Sequence, residues 1–210
     1  GVSKLTTSQK RYLKEIRTSN QRMIELVNGL LNISRIELGT FMQQPVMGSL
    51  GEVVDEIISE SSLQIKGKKV KIHKEIDERL LTEEADINSM RVIVQNLLSN
   101  AIKYNHVGGE VSLSFKLSGD AMLITVADNG CGIPLEEQAR IFERFYRASN
   151  AKEKSTDGTG LGLYMVKILL ERLGGEISFV SEENKGTTFT VVLPRFKSKQ
   201  IQSIVAPRTS

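Results

Sequence analysis

The sequence has little of what several large classes of protein require. It contains one cysteine, Cys131, among 210 residues. This excludes an intramolecular disulfide framework and a cysteine-based zinc site, and it favours a reducing compartment. No apolar run approaches the length that spans a bilayer, and the N-terminal residues lack the basic and apolar regions of a signal peptide. We therefore expect a cytoplasmic chain that makes no membrane contact of its own.

The sequence also lacks a large excess of basic or of acidic residues. Lys and Arg number 28 against 25 Asp and Glu, for a net charge of +3, and no dense basic stretch is interleaved with aromatic residues. Because nucleic-acid binders usually carry such a basic surface, DNA and RNA are not expected as partners. The hydrophobic residues, 40% of the chain, suffice for one globular domain with its own core and one appended element.

What the sequence does contain begins with a long amphipathic pattern. From Leu13 to Leu38, apolar residues recur at spacings of three and four, which predicts one helix ending near Gly39. A single helix cannot bury such a stripe, so we expect partner helices from a second chain or from an upstream segment. A helix that lies on its own domain is the alternative.

The rest of the chain mixes helical and alternating patterns and includes two clear β-hairpins. This favours an α+β layered fold over a doubly wound parallel sheet. Helical periodicity covers residues 49–65, 86–105, 134–147 and 162–175, and alternation typical of strands covers residues 69–76, 109–128 and 176–194. The predicted organisation is a helix over residues 1–41, a domain over 45–197 and a loose tail over 198–210.

The segment "AMLITVADNGCGIP" ends the apolar face of a predicted strand with a carboxylate. Side chains alternate along a strand, so Asp128 lies on the same face as the apolar residues at 122, 124 and 126. A buried carboxylate is costly unless donors surround it. Gly130 and Gly132 remove side chains that would keep a flat ligand away. A simple Asp-Asn-Gly turn is the alternative interpretation.

A second glycine cluster, Gly158, Gly160 and Gly162, leads directly into a predicted helix. Exposed N–H groups and the helix dipole at such a start suit a phosphate group. The cluster lacks the Lys-Ser/Thr ending of a P-loop and does not follow a strand, as a dinucleotide fingerprint requires. A flexible connector is the alternative, because residues 147–158 are largely polar.

The helix predicted over residues 86–105 carries Asn96, Asn100 and Lys103 on one face, opposite its apolar side. Amide oxygens suit a Mg²⁺ ion held mainly by substrate phosphates, and a lysine adds a positive charge for phosphate. An ordinary solvated face is the alternative.

These patterns follow one another as Asn-x-x-x-Asn-x-x-Lys-Tyr, Asp-x-Gly-x-Gly, "IFERFYR", "GTGLGL" and "NKGTTF". In that order they strongly resemble the catalytic, ATP-binding domain of bacterial sensor histidine kinases, within the GHKL superfamily that includes gyrase-type ATPases. Residues 15–39 also resemble the second helix of the family's dimerisation and phosphotransfer hairpin. The resemblance implies a two-layer α/β sandwich, with a mixed sheet under three helices, preceded by one long amphipathic helix.

For the adenine end of an ATP site, the resemblance implies that Asp128 accepts a hydrogen bond from the adenine amine. Gly130 and Gly132 would let the ring approach. Thr187 would support the acid from the neighbouring strand, and Tyr104 would pack near the base.

For the phosphate end, the resemblance implies that Asn96 and Asn100 hold Mg²⁺ and phosphates, with Lys103 beside them and Arg147 reaching the phosphates. The backbone of residues 158–163 would cover the phosphates as a mobile lid. The lid residues implied to contact the nucleotide are Gly158, Gly160, Leu161 and Gly162. The implied catalytic residues are Asn96, Lys103 and Arg147.

The position of Asn96 also bears on the reaction. In gyrase-type relatives the matching residue is a glutamate that activates water, whereas an amide has no useful basicity. An asparagine suits transfer to a better nucleophile, which in this family is a histidine that attacks the γ-phosphate in line. The predicted function is a kinase that phosphorylates a histidine and, through it, an aspartate of a response regulator.

The acceptor histidine itself is not found in this sequence. The two histidines, His73 in a predicted strand and His106 in a loop, lie outside the family's acceptor motif. We therefore expect a piece of a longer, membrane-anchored kinase, whose acceptor helix acts in cis or in a dimer partner. A natural variant that has lost its acceptor is the alternative. A noncatalytic ATP- or ADP-binding interaction module and a gyrase-type ATPase are the competing functions.

Overall fold

The computed structural model describes residues 5–41, 46–81, 84–154 and 158–194. Within these ranges the helices are α1 Thr7–Glu37, α2 Leu50–Glu60, α3 Ser62–Lys68, α4 Glu78–Leu81, α5 Ile87–Lys103, α6 Ser149–Lys154 and α7 Gly162–Leu173. The strands are β1 Met47–Ser49, β2 Lys71–Ile76, β3 Glu84–Asp86, β4 Glu110–Ser118, β5 Ala121–Asp128, β6 Glu176–Glu182 and β7 Gly186–Pro194. No helix in these ranges is both long enough and apolar enough to cross a membrane. The tail predicted over 198–210 lies outside the described residues.

The long helix α1 forms as predicted and ends close to Gly39. A capping box begins it, in which Thr6 Oγ1 accepts a hydrogen bond from the Gln9 N–H (3.3 Å) and the Gln9 amide accepts one from the Thr6 N–H (2.8 Å). Near its C-terminal end, Ile33 and Ile36 are buried against the domain. Most of the large apolar side chains between residues 13 and 31 are about half exposed. The C-terminal part of the helix therefore lies on its own domain, and the rest of the stripe does not.

Five strands form a mixed sheet in the order β2-β4-β5-β7-β6. The β2 strand runs parallel to β4, and the other neighbours are antiparallel. The predicted hairpins are β4–β5 and β6–β7. Side chains alternate along each strand, so Val111, Leu113 and Phe115 of β4 are buried in the core while Ser112 is exposed. The short strands β1 and β3 pair separately.

Helices α2, α5 and α7 pack side by side, with α5 in the middle, and α5 and α7 contact the sheet. The apolar side of α5 is buried there, and Val94 and Leu98 are 0% exposed. Its other side carries Asn96, Asn100 and Lys103, which are only partly buried. This arrangement is the predicted two-layer sandwich, and it leaves the polar face of α5 directed away from the sheet.

The prediction of a helix over residues 134–147 is wrong beyond its first turns. A 3₁₀ helix forms over Leu135–Arg140, and the hydrogen bonds that follow again join residues three apart. Phe145 has a φ of +61°, which a right-handed helix does not allow. The reason is tertiary packing, because the Phe142 ring stacks edge-on against Phe179 of β6 with centroids 5.9 Å apart.

Two smaller differences are local. The helix predicted over residues 49–65 is divided into α2 and α3 at Ser61, whose hydroxyl donates back to the Ile57 carbonyl (2.9 Å). Residues 149–154, predicted as part of a polar connector, form the short helix α6.

Candidate functional site

A cleft gathers residues from several separate parts of the chain. It lies between α1, α5 and the segment that leads into α7, and its volume is about 1920 Å³. Two of the predicted site residues, Gly130 and Leu161, are buried beside it. The other predicted residues line it, namely Asn96, Asn100, Lys103, Tyr104, Asp128, Gly132, Arg147, Gly158, Gly160, Gly162 and Thr187.

Asp128 ends β5, between Val111 of β4 and Thr187 of β7. Its Oδ1 accepts a hydrogen bond from the Gly130 N–H (2.8 Å), and the Thr187 N–H also donates to the carboxylate. Burial raises the pKa of Asp128 to about 6, and the two N–H groups only partly offset this effect. The carboxylate can therefore gain from one more donor supplied by the cleft.

Thr187 supports Asp128 through its backbone rather than its side chain. The Thr187 hydroxyl instead lies 2.8 Å from the Ser181 hydroxyl, across the β6–β7 hairpin. Ser181 Oγ also accepts a hydrogen bond from the Ile133 N–H (2.9 Å). No sequence pattern indicates Ser181, which ties the loop after Asp128 to the hairpin. Its place opposite Thr187 depends on the hairpin register, which no motif specifies.

Gly130 and Gly132 make room for the backbone of the chain itself. A Cβ atom at Gly130 would lie 2.6 Å from the Tyr104 carbonyl oxygen, and one at Gly132 would lie 2.7 Å from the Glu182 carbonyl carbon. Gly132 also has a φ of +61°, in the left-handed region that glycine tolerates. These glycines, predicted to allow the approach of a flat ligand, also allow the loops around Asp128 to pack closely.

On α5, hydrogen bonding defines the orientation of the Asn96 side chain. Its Nδ2 donates to the Val92 carbonyl one turn back (2.6 Å). The opposite end, Oδ1, faces Gly162, where a Cβ atom would lie 2.5 Å from it. Gly162 is the first residue of α7, whose N-terminal N–H groups carry a partial positive charge. Asn100, one turn further along α5, lines the same cleft.

Lys103, Tyr104 and Arg147 meet at one rim of the cleft. The Lys103 ammonium lies 5.2 Å from the Tyr104 ring centroid, close to Gly158. The Arg147 guanidinium donates to the carbonyls of Ala151 (3.1 Å) and Gly158 (3.4 Å) and bonds with the Tyr104 hydroxyl. Burial raises the pKa of Tyr104, so its hydroxyl stays neutral at physiological pH. Arg147 thus joins α6 to Gly158, the first residue of the predicted lid.

A cluster that sequence analysis missed joins α1 to this region. The Glu37 carboxylate accepts a hydrogen bond from the Tyr164 hydroxyl (3.0 Å) and pairs with Arg144, whose guanidinium lies 4.6 Å from the Tyr164 ring centroid. A Cβ atom at Gly29 would lie 3.0 Å from Leu161 Cδ1, so Leu161, a residue of the predicted lid, packs directly on α1. These partners are distant along the chain, so no local pattern could reveal them.

The two histidines lie at the surface. His73 is exposed on β2, with Nε2 3.7 Å from a carboxylate oxygen of Glu110. His106 follows α5, with Nδ1 3.3 Å from the Lys154 ammonium. Neither histidine belongs to the lining of the cleft.

Comparison with known proteins identifies a family. A family model described as histidine kinase-, DNA gyrase B-, and HSP90-like ATPase matches residues 85–197. The chain is similar to the circadian input-output histidine kinase CikA of Synechococcus elongatus, at 35% identity over 90% of this chain and 26% of that protein. It is also similar to the sensor histidine kinase WalK of Bacillus subtilis, at 33% identity over 90% of this chain and 31% of that protein. The chain spans about a quarter to a third of the length of these two relatives.

Solved structures show the same fold. Full-length ShkA, crystallised in complex with AMPPNP, is similar with a TM-score of 0.71 and 29% identity, over 91% of this chain and 40% of that chain. The nucleotide-free catalytic domain of the histidine kinase ThkA is similar with a TM-score of 0.61 and 26% identity, over 72% of this chain and 95% of that chain. The predicted fold class is therefore confirmed.

Proposed function

Because this chain belongs to the family of histidine kinase-, DNA gyrase B- and HSP90-like ATPases, we propose that it is the ATP-binding kinase portion of a two-component sensor. It transfers the γ-phosphate of ATP to a histidine on a helix outside this sequence, and from there to an aspartate of a response regulator. It works on the cytoplasmic side of a membrane-anchored protein. One observation carries the proposal, namely that Asp128, the polar face of α5 and the glycine-rich start of α7 open into one cleft.

The adenine end of the proposed site is built around Asp128. An ionised carboxylate with two N–H donors already in place can accept one more hydrogen bond, from the adenine amine. The Tyr104 ring lines the same cleft and offers a flat apolar surface to the base. Gly130 and Gly132 allow the loops that enclose this end to pack closely.

The phosphate end comprises the polar face of α5 and the start of α7. The amide oxygens of Asn96 and Asn100 are neutral ligands, which suit Mg²⁺ when phosphates and waters complete its coordination shell. Among the described residues, no cluster of three or more His, Cys, Asp or Glu could hold the ion alone, so it would arrive with the nucleotide. When bound, Mg²⁺ neutralises charge on the phosphates. Lys103, Arg147 and the N–H groups of residues 158–162 add positive charge around them.

These residues favour transfer over hydrolysis. Asn96 has no useful basicity, so it cannot activate a water molecule as a carboxylate would. The attacking group must therefore be nucleophilic by itself, as a neutral imidazole is. Helix α1 forms the facing wall of the cleft, and its half-exposed apolar residues offer a surface for the helix that carries the histidine. That helix acts in cis or comes from a dimer partner.

Transfer to a supplied acceptor tests this proposal. When a helix that bears the acceptor histidine is joined ahead of α1 and γ-labelled ATP and Mg²⁺ are added, we expect an acid-labile, base-stable label on that histidine. The same fusion with glutamine in place of the histidine should stay unlabelled. Asn100→Ala should slow labelling by about 100-fold, a typical effect of losing one positioned electrostatic group.

Other outcomes would favour the competing functions. ATP binding without a labelled histidine in the fusion would favour a noncatalytic nucleotide-binding module. Steady release of phosphate by the chain without any acceptor would favour a gyrase-type ATPase.

A pH dependence follows from the pKa of Asp128, which burial raises to about 6. Since the ionised carboxylate is the acceptor for adenine, the affinity for ATP should be constant above about pH 7 and should weaken about tenfold per unit below pH 6. Calorimetric titrations across this range measure the affinity, and carboxyl carbon NMR measures the Asp128 pKa directly. ATP should lower that pKa. An Asp128 carboxyl that titrates near 3.8 in the free chain would contradict the prediction.

A further inference from the structure

Asn150, in the first turn of α6, has no role in the site described so far. Its Nδ2 donates to the carbonyls of Gly132 (3.0 Å) and Cys131 (3.4 Å), in the loop that follows Asp128. Only the nitrogen end of an amide can donate to two carbonyl oxygens, so these bonds define which end of the side chain is which. Oδ1 therefore points away from the loop.

This Oδ1 atom is buried, and among the described residues it has no hydrogen-bond donor. Buried amide oxygens are paired in the great majority of proteins. Asn150 also lines the cleft, together with Asp128, Gly132 and Thr187. A buried, unpaired acceptor on a residue that lines a cleft is suited to a donor on the ligand of that cleft.

The chemistry of ATP restricts what that donor can be. Phosphate oxygens are acceptors at neutral pH, so they cannot pair with an amide oxygen. Donors occur only on the nucleoside, as the adenine amine and the two ribose hydroxyls. The contacts of Asn150 with Cys131 and Gly132 place it at the Asp128 end of the cleft, where the nucleoside is proposed to bind.

We propose that Asn150 is a nucleotide-contacting residue whose Oδ1 accepts a hydrogen bond from an N–H or O–H donor of the bound nucleoside. The inference rests on the proposed function, because it requires ATP in this cleft. It gives α6 a direct contact with the ligand. Asn150 and Arg147 then connect α6 to the adenine loop and to the start of the lid, respectively.

The test compares ATP with analogues that each lack one donor. Wild type and Asn150→Ala are titrated calorimetrically, with Mg²⁺, against ATP, 2′-deoxy-ATP, 3′-deoxy-ATP and N6-methyl-ATP. We expect wild type to bind at least one analogue about five- to tenfold more weakly than ATP, and Asn150→Ala to bind ATP and one such analogue equally. The analogue that shows this pattern identifies the donor. Asn20 is an exposed asparagine on α1, and Asn20→Ala should show the same differences in affinity between ATP and the analogues as wild type.

A purely structural role for Asn150 gives a different result. If Asn150 only anchors α6, Asn150→Ala weakens ATP and all three analogues by the same factor, and the proposal is overturned. Unchanged affinity for ATP in Asn150→Ala, or a wild type that discriminates against none of the analogues, also overturns it. The proposed function survives these results, whereas a folded wild-type chain that binds no ATP would overturn both.

Discussion

Asp128→Asn is expected to weaken ATP binding by at least about 100-fold while leaving the chain folded. The carboxylate offers only acceptors, to the N–H groups of Gly130 and Thr187 and, as proposed, to the adenine amine. The asparagine amide would point an N–H₂ group at one of these donors. A site built to accept a hydrogen bond discriminates strongly once an acceptor becomes a donor. Calorimetric titration of ATP with Mg²⁺ into both chains measures the loss.

The same substitution should not reduce stability at neutral pH. The folded-state pKa of Asp128 is raised from 3.8 to about 6, so the folded chain binds the proton more tightly than the unfolded chain. The stability that this provides is fully present below about pH 4 and is lost as the pH rises through 6, by about 3 kcal/mol in total. Asp128→Asn removes the ionised group and its cost. It should therefore match or exceed the stability of wild type at pH 7.5, as urea unfolding would measure.

Asp120→Asn is the matched control. Asp120 is exposed in the β4–β5 turn and outside the cleft, so its replacement should leave the ATP affinity unchanged. If Asp128→Asn bound ATP within about tenfold of wild type, the adenine role of Asp128 would be wrong.

Gly132→Ala is expected to lower the free energy of unfolding by about 3–4 kcal/mol, which for a chain of this size lowers the melting temperature by roughly 10 °C. Two costs combine. The residue has a φ of +61°, which alanine adopts with strain. Its new Cβ would also lie 2.7 Å from the Glu182 carbonyl carbon, with backbone rather than a flexible side chain as its neighbour. Thermal unfolding followed by circular dichroism measures the effect.

Gly119→Ala separates these two costs. Gly119, in the β4–β5 turn, has a φ of +60°, and no atom lies within 4 Å of an added Cβ. Gly119→Ala should therefore lower the free energy of unfolding only by the cost of backbone strain, about 1–2 kcal/mol. Equal losses in the two variants would show that the close approach of Gly132 to Glu182 contributes nothing. We also expect Gly132→Ala to weaken ATP binding, because the new Cβ displaces the loop that contains Gly130, whose N–H donates to Asp128.

The predictable part of the site is the part set by local periodicity. Asp128 could be placed at the end of an apolar strand face because side chains alternate over two residues, and the Asn96 to Lys103 stripe could be placed on one helix face for the corresponding reason. The N–H donor from Thr187 could not be predicted in the same way. The Thr187 N–H comes from β7, and its alignment with Asp128 depends on strand register across the sheet.

The segment over residues 134–147 shows the limit of local reasoning most clearly. Its composition and spacing suit a helix, yet the packing of Phe142 on Phe179 and the left-handed Phe145 redirect it after a 3₁₀ helix. Helical propensity amounts to a few tenths of a kcal/mol per residue, so burying one aromatic ring can outweigh it.

The sequence by itself determined the long helices, the strands of the main sheet, the α+β class and the family resemblance, and most of the residues that it singled out for the site line the cleft. Only the tertiary structure decided that Gly132 packs against Glu182, that α1 docks through Glu37 on Arg144 and Tyr164, and that Asn150 presents a buried acceptor. The physical reason is the sequence separation over which each interaction acts. Periodicity and capping act between neighbours along the chain, whereas these contacts join distant segments and exist only once the sheet and its helices have assembled.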